Sequence, residues 1–122
     1  MKVEKILVVE DEIDARWGIV QYLRKIGYTV FEAGNGIEAK NILNKEKIDV
    51  IFSDLKMPEM DGEELLKYCK QTNNNVIFIM MTAYGDCQNY FDIISLGAYE
   101  YMNKPIPLED ISNLLKKIES AL

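Results

Sequence analysis

Strand-like and helix-like stretches alternate five times along this chain, and that alternation limits its fold more than any other feature. KILVV (5–9), TVFEA (29–33), DVIFS (49–53), VIFIMM (76–81) and AYEYM (98–102) are short runs rich in apolar, aromatic and β-branched residues, the make-up of strands. The stretches 13–26, 36–45, 63–70, 87–96 and 108–121 read as helices. The first carries a stripe of Ala15, Ile19, Tyr22, Leu23 and Ile26 at helical spacing and stops at Gly27. Five βα units in series imply a parallel sheet with helices on both faces. The runs at 6–9, 49–53 and 76–81 are nearly continuous in apolar residues, as strands covered on both sides must be. There is no internal repeat, low-complexity tract or linker, so residues 1–122 read as one α/β domain of ordinary size.

An open sheet of this kind binds ligands at the carboxyl ends of its strands, where the strand order reverses. The residues there are Glu10 and Asp11 after the first strand, Asp54 after the third, Thr82 after the fourth and Lys104 after the fifth. An apolar strand that runs straight into a carboxylate, as VIFS runs into Asp54, needs a cation, a hydrogen-bond network or a chemical task for that charge. Crowded carboxylates repel and lose solvent, which raises their pKa values. A hard divalent cation with oxygen ligands, Mg²⁺ above all, relieves both effects. A lysine and a hydroxyl beside it suit phosphoryl oxygens, and an aspartate in that setting can be a nucleophile. Taken singly, each residue has a structural explanation: helix-start charge, turn residue, strand former, extended corner before proline. Acid, acid, hydroxyl and ammonium at four strand ends are hard to explain that way together.

Composition removes other chemistries. The chain has no histidine, so His-based metal sites and Ser-His or Cys-His catalysis are excluded. The net charge of −6 argues against direct nucleic-acid binding by this domain. Cys69 and Cys87 form no CxxC pattern and read as free thiols of a reducing cytoplasm. No stretch is long enough to span a membrane, and no signal peptide precedes the first strand.

VVEDE (8–12), SDLKMPEMDG (53–62), MTAYG (81–85) and GAYEYMNKP (97–105), in this order and spacing, resemble the receiver domains of two-component response regulators from end to end. The resemblance implies a flavodoxin-like (βα)₅ sandwich with strand order 2-1-3-4-5. It implies that Asp54 accepts a phosphoryl group from a histidine kinase or histidine phosphotransfer protein, with Mg²⁺ as cofactor. Asp11, Asp54 and the backbone carbonyl of Lys56 would bind the metal directly, and Glu10 through water. Lys104 would pair with the phosphoryl group, Thr82 would turn to meet it, and Tyr101 would move with Thr82. Lys56 and Tyr84 would govern phosphoryl lifetime, and both are large. Pro58 and Gly62 would shape the loop after Asp54, and Lys104-Pro105 would be cis. Glu10 where Asp is common, and Pro107 where many relatives carry an acid, are mild departures.

This reading makes the chain a cytoplasmic signalling phosphoacceptor rather than an enzyme. It is either a stand-alone receiver or the front part of a longer regulator. Three rival readings fit the residues less well. An aspartyl-phosphate hydrolase of another α/β family wants an acid two residues past its nucleophile, where Lys56 stands. A pseudo-receiver lacks an acid, the Thr or the Lys, all of which are present. A flavodoxin-like cofactor binder wants a phosphate-cradling loop where EDEID would repel one.

Two surface expectations complete the reading. Trp17 lies opposite the stripe of the first helix and should be exposed, beside the cleft where a histidine donor must dock. Helix 87–96 has a wheel that places Cys87, Tyr90, Phe91 and Ile94 in the core and leaves Ile93 and Leu96 off it, with Gly85 and Gly97 flanking. It is the expected moving part of an output face formed with 98–102 and 108–121, which would support homodimerisation on activation or contact with an output partner.

Overall fold

The computed structural model describes residues 1–72, 75–83 and 90–121. It contains the alternation read from the sequence: β1 (Lys5–Val9), α1 (Ile13–Lys25), β2 (Thr29–Ala33), α2 (Gly36–Lys45), β3 (Val50–Asp54), α3 (Gly62–Thr72), β4 (Ile77–Ala83), α4 (Tyr90–Ser95), β5 (Glu100–Lys104) and α5 (Leu108–Ala121). The five strands form one sheet in the order β2-β1-β3-β4-β5, and every pairing is parallel. The chain moves outward from β1 to β2, then crosses back to β3, so the winding of the chain reverses between β1 and β3. That places their carboxyl ends side by side at the switch point.

Alternation along the strands divides the core in two. On one face Ile6, Val8, Val50, Phe52, Ile79 and Met81 pack with Val20 and Leu23 of α1 and with Ile111, Leu115 and Ile118 of α5. On the other face Leu7, Val9, Ile51, Phe78 and Met80 pack with Ala39 of α2, Leu65, Leu66 and Cys69 of α3, and Ile93 of α4. Burying each such side chain contributes about 1.5–3 kcal/mol before the entropy of ordering it. β1 and β3 are buried on both faces from Ile6 and Val50 onward, which explains their unbroken apolar runs.

Local signals set the element ends. The Asn35 side chain caps α2 by accepting from the Glu38 N–H at 2.9 Å. Asp61 accepts from the Glu64 N–H at 2.9 Å, and the Glu64 carboxylate accepts in return from the Asp61 N–H at 3.4 Å. This reciprocal pair starts α3. Asp61, one of the acids in the motif after β3, is therefore a helix cap. Gly97 follows α4 with φ +112, a left-handed conformation that side chains rarely tolerate. The Lys104-Pro105 peptide is cis.

The structure corrects three expectations. β5 is Glu100–Lys104 rather than 98–102. It runs in parallel register with Ile79 through Ala83 of β4, so pairing with β4 carries the strand out to polar Asn103 and Lys104. In α1, Ile26 is exposed, and Val20, absent from the expected stripe, is fully buried. In α4 the wheel is only partly as expected: Ile94 packs against the core, as does Leu96, which the wheel had left off it. Ile93 is buried, whereas Tyr90 is 47% and Phe91 76% exposed. Cys87, assigned to the same stripe, lies outside the described residues.

Candidate functional site

The strand ends do converge. One carboxylate oxygen from each of Glu10, Asp11 and Asp54 lies within 4.8 Å of the others, the only such acidic or cysteine grouping among the described residues. Glu10 and Asp54 are buried and Asp11 is exposed at the lip. β1 and β3, adjacent in the sheet, deliver the first two from the same strand face as Val8 and Phe52. Lys104, from the end of β5, reaches across β4. Its Nζ pairs with Asp54 Oδ2 at 3.0 Å and with Glu10 Oε1 at still closer range.

The carboxylates are otherwise held by backbone. Asp54 Oδ1 accepts from the Leu55 N–H at 3.0 Å, and Glu10 Oε2 accepts from the Glu12 N–H at 3.2 Å. Ser53, a polar residue inside an apolar strand, donates its hydroxyl to the Asp54 carbonyl at 2.9 Å. Gly62 closes the loop from below, with its N–H on the Leu55 carbonyl at 2.9 Å. A Cβ on Gly62 would stand 2.3 Å from the Asp54 carbonyl oxygen, so only glycine fits there.

Electrostatics follow from this crowding. Desolvation, then the hydrogen bond and charge of neighbouring Glu10, hold the Asp11 carboxyl above its ordinary pKa although much of its side chain meets water. Burial works against the charge on Lys104, yet hydrogen bonds to Glu10 and Asp54, reinforced by their charge, outweigh it and raise its pKa. The lysine therefore stays an ammonium. It offsets part of the negative charge of three acids, and the remainder favours a divalent cation. The donors are all carboxylate oxygens, two of them sheltered, which is the chemistry of a hard-cation site.

The other sequence-derived residues lie around this cluster. Thr82 is fully buried near the end of β4, and its hydroxyl donates to the Ala83 carbonyl at 3.2 Å. Tyr101 packs at the edge of the α2–α3–α4 core, its ring edge-on to Tyr90 with centroids 5.5 Å apart. Thr82 shares the strand face of Phe78 and Met80, so it and Tyr101 belong to the face opposite Lys104. Lys56 is exposed in the loop after β3. Tyr84 lies outside the described residues. Trp17 is 62% exposed, as the wheel of α1 requires. Beside the acids a groove of about 560 Å³ runs between α1 and the β5–α5 loop, lined by Ala15, Ile19, Met81, Pro105 and Leu108 among others.

Comparison with known proteins agrees with this geometry. The family profile described as response regulator receiver domain matches residues 6–116. The chain is 39% identical over 114 residues to sporulation initiation phosphotransferase F of Bacillus subtilis (strain 168), covering 93% of this chain and 92% of that protein. It is 33% identical over 115 residues to the sensor kinase CckA of Brucella abortus (strain 2308), covering 93% of this chain but only 12% of that protein. Among solved structures, a CheY-like response regulator receiver domain protein from Methanospirillum hungatei JF-1 superposes with a TM-score of 0.89 at 27% identity, covering 96% of this chain and 94% of that one.

Proposed function

The chain belongs to the response regulator receiver domain family, and on that premise we propose that Asp54 is its phosphoacceptor, served by a histidine kinase or a histidine phosphotransfer protein. The observation that carries this reading is the bridge from Lys104 to both Asp54 and Glu10 inside a three-carboxylate cluster. A bound Mg²⁺ would be held by Asp11, Asp54 and the Lys56 carbonyl, with Glu10 reaching it through water, and would neutralise charge on the transferred group. An oxygen of Asp54 attacks phosphorus, the bond from phosphorus to the donor imidazole nitrogen breaks, and the nitrogen keeps the electron pair. Lys104, already an ammonium at Asp54, follows the new charge by exchanging a carboxylate oxygen for a phosphoryl oxygen. The groove between α1 and the β5–α5 loop, beside the acids, favours docking of the histidine donor there, with Trp17 exposed on the outer face of α1.

The phosphoryl group then acts as a ligand. It shifts the conformation only because Thr82 and Lys104 contact it differently in the two states. The Thr82 hydroxyl, bonded only weakly to its neighbour's carbonyl, turns inward, and Tyr101 follows on the same sheet face. The face of α4, β5 and α5 thereby changes, through homodimerisation or contact with an output partner. Lys56 and Tyr84 shield the aspartyl phosphate from water and prolong its life. The chain is thus a cytoplasmic phosphorelay or transcription-regulation component that loses its phosphate slowly, without turnover of a separate substrate and without nucleic-acid contact through this domain.

The test is labelling with acetyl phosphate and binding of beryllofluoride, each with and without Mg²⁺. Wild type should take up both only with the metal, and Asp54→Asn and Asp11→Ala should take up neither. Undiminished labelling of Asp54→Asn overturns the assignment.

A further inference from the structure

We infer that Arg16 is a positioning residue for divalent-cation binding, acting through the backbone carbonyl of Glu10 rather than by touching the cation; this rests on the acidic cluster being a cation site. Arg16 lies on the first turn of α1, and its Nη1 donates to the Glu10 carbonyl at 2.8 Å. Its Nε donates to the Glu32 carboxylate of β2 at 3.2 Å, and its side chain is only 19% exposed. Gly34 leaves room for the guanidinium, since a Cβ there would stand 3.2 Å from Nη1. On its other side, Glu10 donates its N–H to the Ala33 carbonyl at 3.0 Å. Both backbone polar groups of Glu10 are therefore tied, one to β2 and one to α1.

The peptide unit is planar. Fixing the Glu10 carbonyl fixes the plane that leads into Asp11, and so the point from which the Asp11 side chain leaves the backbone. Asp11 is the exposed member of the three acids, and its side chain hydrogen-bonds to Glu10. The two acids from β1 thus gain their mutual geometry from a guanidinium that sits behind them.

Charge and positioning predict opposite signs, which makes the inference sharp. Arg16 is a cation close to a cation site. If it acted only through its charge, its removal would tighten divalent binding. If it positions the Glu10–Asp11 peptide, removal loosens binding despite that gain. Losing a group that orients ligands typically costs about tenfold or more in metal affinity.

The experiment is calorimetric titration of the whole chain with Mn²⁺ and with Mg²⁺, alongside urea unfolding and amide exchange in the metal-free state. Arg16→Met should weaken Mn²⁺ binding about tenfold and speed exchange at Asp11 and Glu12. Arg16→Lys, which keeps one donor, should recover part of both. Arg24→Met is the control. Arg24 donates to the Val30 carbonyl at 2.8 Å and pairs with the same Glu32 at 3.8 Å, so its loss perturbs the same helix and strand without touching Glu10. It should leave affinity within twofold. Tighter or unchanged binding by Arg16→Met, or an equal loss in Arg24→Met, overturns the role of Arg16 and leaves the cation site standing. Absence of Mn²⁺ and Mg²⁺ binding in wild type overturns both.

Discussion

At Asp54 the backbone has no slack. A methyl group on Gly62 would meet the Asp54 carbonyl at 2.3 Å and the Leu55 Cα at 3.0 Å, both main chain, so neither can swing aside. Gly62→Ala should lower unfolding free energy by about 1–3 kcal/mol in urea titration and slow labelling of Asp54. Gly18 is the contrast: nothing lies within 4 Å of a Cβ there, and it sits inside α1. Gly18→Ala should raise stability by about 0.5–1 kcal/mol. Asp11 faces a different constraint. It repels Glu10 and is held above its ordinary pKa by desolvation and by that neighbour. Asp11→Asn should stabilise the metal-free protein and abolish any gain on adding Mg²⁺, both read as shifts in the urea midpoint. Glu10, Asp11, Asp54 and Lys104 were legible in the sequence because each bears its chemistry at a strand end. Ser53 and the Arg16 contact with Glu10 were not: both donate to backbone carbonyls, and no pattern of side chains records where a carbonyl will point. The capping role of Asp61 did have a signal, since Asp61 and Glu64 stand at the spacing of a reciprocal helix-start pair.

The strands and long helices could be read because burial on one or both faces imposes a period on many residues at once. α4 could not. Its six described residues, Tyr90–Ser95, span less than two turns, too few to fix which face points inward. The apparent stripe followed the aromatics, while the sheet took Ile93. β5 failed for a related reason: it lies at the sheet edge, where pairing with β4 sets the strand's end more firmly than apolar content does. The exchange of Ile93 for Phe91 as the buried residue of α4 is measurable. Ile93→Ala should cost about 2–4 kcal/mol, and Phe91→Ala, at 76% exposure, less than about 1 kcal/mol. Equal costs would contradict the packing described. A helix anchored by one fully buried side chain should also exchange its amides faster than α3, which buries Leu65, Leu66 and Cys69. Beryllofluoride should alter exchange across 90–102 if this element belongs to the switch.

For the molecule as a whole, stability should depend on cations and on alkali. A divalent cation that binds only the folded chain raises unfolding free energy by about 1.4 kcal/mol at ten times its dissociation constant, visible as a raised urea midpoint. Burial pushes the Cys69 thiol from 9.0 up to about 12, and burial with the neighbouring Glu119 carboxylate pushes Tyr28 from 10.0 to about 12. Both groups hold their protons more tightly when folded. Their contribution is complete below pH 9 and declines as pH rises toward 12, because the unfolded chain releases these protons first. Unfolding free energy should therefore fall between pH 9 and 11, and Cys69→Ala should show a shallower slope over that interval. The sheet itself carries a further consequence. Glu10, Asp54 and Lys104 extend the face that packs on α1 and α5, whereas Thr82 and Tyr101 extend the face that packs on α2, α3 and α4. On the proposed function, a group carried by Asp54 would be met from both sides of a single layer of backbone, by Lys104 from one and by Thr82 from the other. Thr82 is then the point where the two sides meet, and a substitution there should be felt on both.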